Sequence, residues 1–183
     1  MTRYFRIVRR VRVTARRLAR NARAVVMIEM AFVIPLLALI GFGGLEMANL
    51  TLVNTQVSQI GLSVADNAAR IAAGSNLALP QVREADINEV FAGAGKQARG
   101  MDLLNNSRII LSSLERNNDG GQWIHWQRCY GKLPVNSAYG PEGTGITGTD
   151  FAGMGPAGKE VKAAGGTAIM FVEISYQYQP LLY

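Results

Sequence analysis

Residues 24–45, AVVMIEMAFVIPLLALIGFGGL, run for 22 positions with one charge, Glu29. As an α-helix a run of that length measures about 33 Å, enough to cross a hydrocarbon core of about 30 Å. The wholly uncharged part, residues 30–45, is only about 24 Å long as a helix. Glu29 is therefore expected near one membrane face rather than at mid-bilayer. Nine arginines (Arg3, Arg6, Arg9, Arg10, Arg12, Arg16, Arg17, Arg20 and Arg23) precede the run, with no acid before Glu29. Basic residues before a span and none just after it orient its N-terminus to the cytoplasm. Everything beyond about Glu46 then lies on the other side of the membrane.

The net charge of +6 describes this arm alone. The remaining 160 residues carry ten basic and thirteen acidic groups. Anionic lipid is the expected partner of the arm, at about 1 kcal/mol per basic residue near the surface. Nucleic acid is not expected, because no recognition fold and no aromatic stacking platform accompanies the arginines. A cleaved secretory signal shares the basic region, the apolar run and the small residues Gly41 and Gly43. Three features oppose it: the run is long, it holds a carboxylate, and apolar periodicity continues through Glu46.

Beyond Glu46 the pattern turns amphipathic. Leu50, Val53, Val57, Ile60, Val64 and Ile71 recur at steps of three, four, three, four and seven, one stripe of a helix. A single helix is expected from about residue 22 to 73, ended by Gly74-Ser75-Asn76. Pro35 lies inside the span, where its missing N–H and its ring favour a kink. Pro80 is placed to start a second, short helix within residues 81–98, with Val82, Ile87, Val90, Phe91 and Ala94 on its apolar face.

Strands are expected at residues 107–114, 122–130 and 167–178. The first two are joined by the turn cluster Asn117-Asn118-Asp119-Gly120-Gly121. In the third, Met170, Val172, Ile174, Tyr176 and Tyr178 alternate with Phe171, Glu173, Ser175 and Gln177, predicting one buried face covered by the helix stripe. Residues 131–166 hold ten glycines and read as a long, partly disordered loop. Three strands leave exposed sheet edges, which a strand from another chain could pair.

The chain is thus expected to be a membrane-anchored α+β protein. A long N-terminal helix, transmembrane then amphipathic, packs on a small antiparallel sheet. Residues 1–24 form a basic cytoplasmic leader, 25–46 the transmembrane helix, 47–73 an amphipathic stalk, and 74–183 a small extracytoplasmic domain carrying the loop 131–166.

No enzyme is expected, and no cofactor. One histidine and one cysteine exclude an internal disulfide and a Cys/His metal site. His125, between Trp123 and Trp126 in a strand, reads as a packed or surface residue. Three positions apart in a strand, the two tryptophans are expected on opposite faces. Cys129 has no helix N-terminus or partner to activate it. The glycines of residues 140–158 lack the lysine and hydroxyl residue of a phosphate loop.

A basic arm, a small residue, a glutamate, an apolar span with an early proline and a second glutamate follow in that order. Residues 20–50, RNARAVVMIEMAFVIPLLALIGFGGLEMANL, resemble the TadE-like family, pseudopilins of the tight-adherence (Flp-type) pilus. The closing VEISYQYQPLL resembles the family's last strand. The resemblance covers about forty residues and rests on an intramembrane carboxylate, which is rare in ordinary anchors. It implies a pilin-like fold and a role in pilus assembly at the bacterial inner membrane. Its implied partners are other pseudopilins, inner-membrane platform proteins and a prepilin peptidase. It also implies leader cleavage between Ala24 and Val25, with Glu29 as the fifth mature residue and the carboxylate that sets subunit register. Glu46 would mark the outer membrane boundary. Two positions depart from the family pattern: Ala24 stands where glycine is usual, and Met30 where an aromatic is usual. Without cleavage, Glu29 would sit at the interface beside Arg20 and Arg23, whose long side chains snorkel.

Overall fold

The computed structural model describes residues 13–17, 22–71, 82–98 and 100–182. Most of the arginine arm, the stop at Gly74-Ser75-Asn76 and the start at Pro80 fall outside them. Helix α1 spans Ala22–Ile71, α2 Glu84–Gln97 and α3 Leu103–Asn106. The strands are β1 (Ser107–Arg116), β2 (Gln122–Tyr130) and β3 (Ala168–Tyr176). The expected long helix, second helix and three strands are all present, and α3 is an addition. The chain divides into two compact units, residues 1–49 with 180–183, and residues 50–179.

In the first unit α1 is apolar on every side. Fourteen large apolar side chains between Val25 and Leu45 are 43–76% exposed. The helical stretch continues through Pro35.

The second unit contains the core. Here the stripe on α1 is buried from Ile60 onward, whereas Leu50 remains exposed. The seven-residue gap in the stripe is filled by Ala68, which is fully buried beside Ile60 and Val64. An alanine there lets helix and core approach closely. Gly61 serves the same end, since a Cβ on it would meet Ile174 Cγ2 at 3.4 Å. Helix α2 adds Ile87, Phe91 and Ala94 to this core, with Phe91 stacked on Tyr130 at 5.6 Å. Its first turn is held by Asp86, which accepts hydrogen bonds from the Arg83 backbone and guanidinium.

The sheet is antiparallel in the order β2-β1-β3. Its central strand β1 is buried on both faces: Ile109 and Leu111 meet the helices, while Leu114 belongs to a second cluster with Ile124, Met154 and Ala163. Met170, Val172, Ile174 and Tyr176 of β3 pack on the helix side as expected. The other face of β3 is covered too, as Ile169 and Phe171 join the second cluster and Tyr139 meets Phe171 edge-on at 5.3 Å.

That second cover is residues 131–166. Neighbouring strands lie about 4.8 Å apart, so the chain must cross two such spacings to pass from edge strand β2 to edge strand β3. It does so over the open face of the sheet, carrying Met154 and Ala163 into the core. The loop expected to be partly disordered is instead a folded lid of turns with a bridge between Met154 and Val161. Glycine is required where this lid grazes the sheet. At Gly145 φ is +78°, and a Cβ would lie 2.3 Å from the Gln122 carbonyl oxygen. The buried Gln122 amide clamps the lid through the Ala163 N–H at 2.7 Å and carbonyl at 3.1 Å.

A bulge overturns one expectation. The β1–β2 register shifts between Ser113 and Leu114, placing Trp126 opposite Ser113 and Trp123 opposite Glu115. Those partners are two apart on β1, so both tryptophans share a face. One extra residue in β2 reverses the parity that strict alternation predicts.

Leu111 is fully buried in the central strand. Leu111→Ala is expected to destabilise the second unit by about 2–5 kcal/mol, measured by denaturant unfolding of the full chain in detergent.

Candidate functional site

The feature most in need of a partner is the apolar half of α1. A helix apolar all round is covered either by protein or by lipid. Among the described residues nothing buries its most apolar window. By length and composition this one helix suffices to cross a membrane.

Ala24 and Val25 lie near the start of α1, and Glu29 follows one turn after Val25 on an exposed position. Glu29 is the only charged residue between Val25 and Leu45. The structure therefore places Ala24, Val25, Glu29, Pro35 and Glu46 along one helix, with Glu29 and Glu46 at opposite ends of its uncharged stretch.

Glu46 has a partner that its sequence context did not signal. Its Oε2 accepts the Leu181 backbone N–H at 3.1 Å. This bond holds residues 180–182 beside the end of the apolar stretch, and Leu181 and Leu182 are exposed there. The contact spans 135 positions in the chain, so no local pattern could reveal it.

His125 and Ser113 are engaged in local contacts. His125 is half-exposed, stacks on Trp123 at 4.6 Å, and places Nδ1 2.8 Å from Glu115 Oε1. The same Glu115 oxygen accepts the buried Ser113 hydroxyl at 2.8 Å. The carboxylate thus sits between hydroxyl and imidazole, an order that does not activate the serine, since the nucleophile needs the base beside it. Cys129 is a free, exposed thiol. Among the described residues no group of three His, Cys, Asp or Glu side chains could hold a metal ion.

One charged cluster spans three elements. Arg128 on β2 reaches Glu84 at the start of α2 at 2.6 Å and Glu142 of the lid at 3.1 Å. It thereby ties helix, sheet and lid together. The Arg128 hydrogen bond holds the Glu84 carboxyl below its ordinary value, with a smaller opposing effect of desolvation. A depressed folded value adds stability above the unfolded value of about 4.3, and the addition disappears as pH falls through the folded value. The wild-type Tm is expected to drop more steeply below about pH 4 than that of Arg128→Gln, read by thermal unfolding across that range. Separately, Glu46→Ala is expected to speed exchange of the Leu181 amide by on the order of tenfold, read by hydrogen–deuterium exchange in detergent.

No family model, no curated protein and no solved structure matches this chain.

Proposed function

We propose that the chain is a minor pseudopilin of a tight-adherence, type IV-like pilus system in the bacterial inner membrane. Its N-terminus faces the cytoplasm and residues 47–183 face the periplasm or exterior. The observation that carries this reading is the single carboxylate, Glu29, at the N-terminal end of an exposed apolar helical stretch whose continuation packs in the core of a small antiparallel sheet. The resemblance of residues 20–50 to the TadE-like family supports the same role.

The mechanism follows from electrostatics. A carboxylate costs about 2.5–3.5 kcal/mol at a membrane helix centre on insertion scales. Cleavage after Ala24 removes all nine arginines and leaves an α-ammonium on Val25. Glu29 lies four positions further on, about 6 Å along the axis. In an assembly, Glu29 meets the ammonium of an adjacent subunit, and the pair fixes axial register. Burial of such a pair serves specificity more than stability. Apolar helices pack laterally around it, and the open edge of β3 offers a second contact. Among the described residues the outer edge of β3 makes no backbone–backbone hydrogen bond, whereas that of β2 is capped by Gly143 and Thr144.

A second reading, a single-pass envelope scaffold or ligand-binding protein without a pilus role, is favoured by Ala24 and Met30, where the family pattern has glycine and an aromatic. N-terminal sequencing of membrane-extracted protein separates these two readings and a secreted protein. The pseudopilin starts at Val25, the uncut anchor at Met1 or Thr2, and a secreted protein beyond Gly43. Glu29→Ala is expected to reduce pilus number sharply while leaving membrane insertion intact, scored by electron microscopy and alkaline carbonate extraction. Normal piliation in that variant removes Glu29 from the mechanism.

A further inference from the structure

Glu46 follows Glu29 by seventeen positions, about 26 Å along a helix. Tilt only shortens that distance along the membrane normal. In an undeformed hydrocarbon core of about 30 Å the two carboxylates cannot both lie outside. An ionisable group at such a depth is retained where a polar partner meets it. Glu46 has such a partner in the backbone of a distant segment, since its Oε2 accepts the Leu181 N–H at 3.1 Å. The bond serves both sides. A backbone N–H at the edge of hydrocarbon has little water to turn to, and the carboxylate supplies its acceptor. Pro180, just before it, has no N–H to satisfy.

What this segment brings to the end of the span is apolar. Leu181 is 65% and Leu182 46% exposed, and Leu45 and Met47, which flank Glu46 on α1, are 62% and 67% exposed. Residues 174–183 carry no charged side chain. The segment belongs to the same compact unit as the apolar half of α1. We propose that residues 180–182 are a foot on the lipid bilayer: Leu181 and Leu182 enter the boundary between headgroups and acyl chains beside the Glu46 end of the span, and the Glu46–Leu181 bond holds them at that depth. The partner is phospholipid rather than protein, because the leucines continue an apolar surface that already has the length and composition of a membrane span. They also enlarge that surface where it is short, the uncharged stretch 30–45 measuring only about 24 Å against a core of about 30 Å. Two leucines alone would bind a membrane weakly, but beside a span their insertion is intramolecular and needs little affinity of its own. The proposal rests on the reading of α1 as membrane-spanning.

The test places a nitroxide on the full chain by Leu181→Cys, with Leu36→Cys and Leu62→Cys as references, each in a Cys129→Ser background. All three leucines are exposed, and the bond to Glu46 uses a backbone N–H that cysteine retains. The protein is reconstituted at high dilution in vesicles of phosphatidylcholine and phosphatidylglycerol. Collisions of each nitroxide with oxygen, which concentrates in lipid, are compared with collisions with a nickel chelate, which stays in water. Position 36 reports the span, and position 62, sixteen positions beyond Glu46, reports water. The ratio of oxygen to nickel collisions at position 181 is expected to exceed that at position 62 several-fold and to fall below that at position 36. If position 36 favours oxygen while position 181 matches position 62, the segment lies in water, and the proposal is overturned while the span stands. If position 36 itself matches position 62, the span falls and the proposal falls with it. Few collisions with either reagent at position 181 mean that protein covers the segment, which overturns the proposal as well.

Discussion

Apolar side chains that the chain itself does not cover govern the architecture. From Val25 to Leu45 they point outward around the whole circumference of α1. Their removal from water is worth roughly 25 cal/mol per Å², so an apolar surrounding is the condition under which this half of the helix is stable. The other half obeys a different rule. From Ile60 onward only one stripe is apolar enough to bury, and it buries against the chain's own sheet and second helix. One helix thus serves two environments, and the change from all-round to one-sided hydrophobicity marks where they meet.

The sheet shows how a small domain covers two faces with little material. Helices α1 and α2 take one face, and the other is left to the connection between the edge strands. Because β1 lies between β2 and β3, that connection has to cross the sheet. Crossing it, the connection supplies the second apolar cluster. The glycines follow from this path: nine of the ten within residues 131–166 adopt positive φ, which side-chain-bearing residues rarely do. A sharply turning chain lying flat on a sheet needs that freedom together with the absence of Cβ at Gly131 and Gly145, where backbone oxygens approach.

Function on this reading is divided between the ends of the molecule's sequence. The helix carrying Glu29 would, under the proposed function, supply recognition within the membrane, where a lone charge has few partners. The sheet and its lid would supply the outer body, with one unpaired sheet edge. Arg128 bonds to acids on α2 and on the lid, so helix, lid and sheet are held together by charge as well as by packing.

Periodicity made the elements legible. The stripe on α1, the apolar face of α2, the hairpin turn and the alternation in β3 are local patterns, set by the 3.6- and 2-residue repeats of the backbone. The candidate carboxylates Glu29 and Glu46 were legible for the same reason, as interruptions of an apolar run. Pairings between distant segments left no such trace. The lid over the sheet, the Glu46–Leu181 bond and the Arg128 bridge each depend on residues brought together by the crossover or the chain end. The shared face of Trp123 and Trp126 depends on one bulge that no repeat announces. By itself the sequence determined which segments are helix and strand and which face of each is apolar, because those follow from short-range geometry. Only the tertiary structure decided what covers the second face of the sheet and which distant polar groups meet, because both are properties of the whole packed chain.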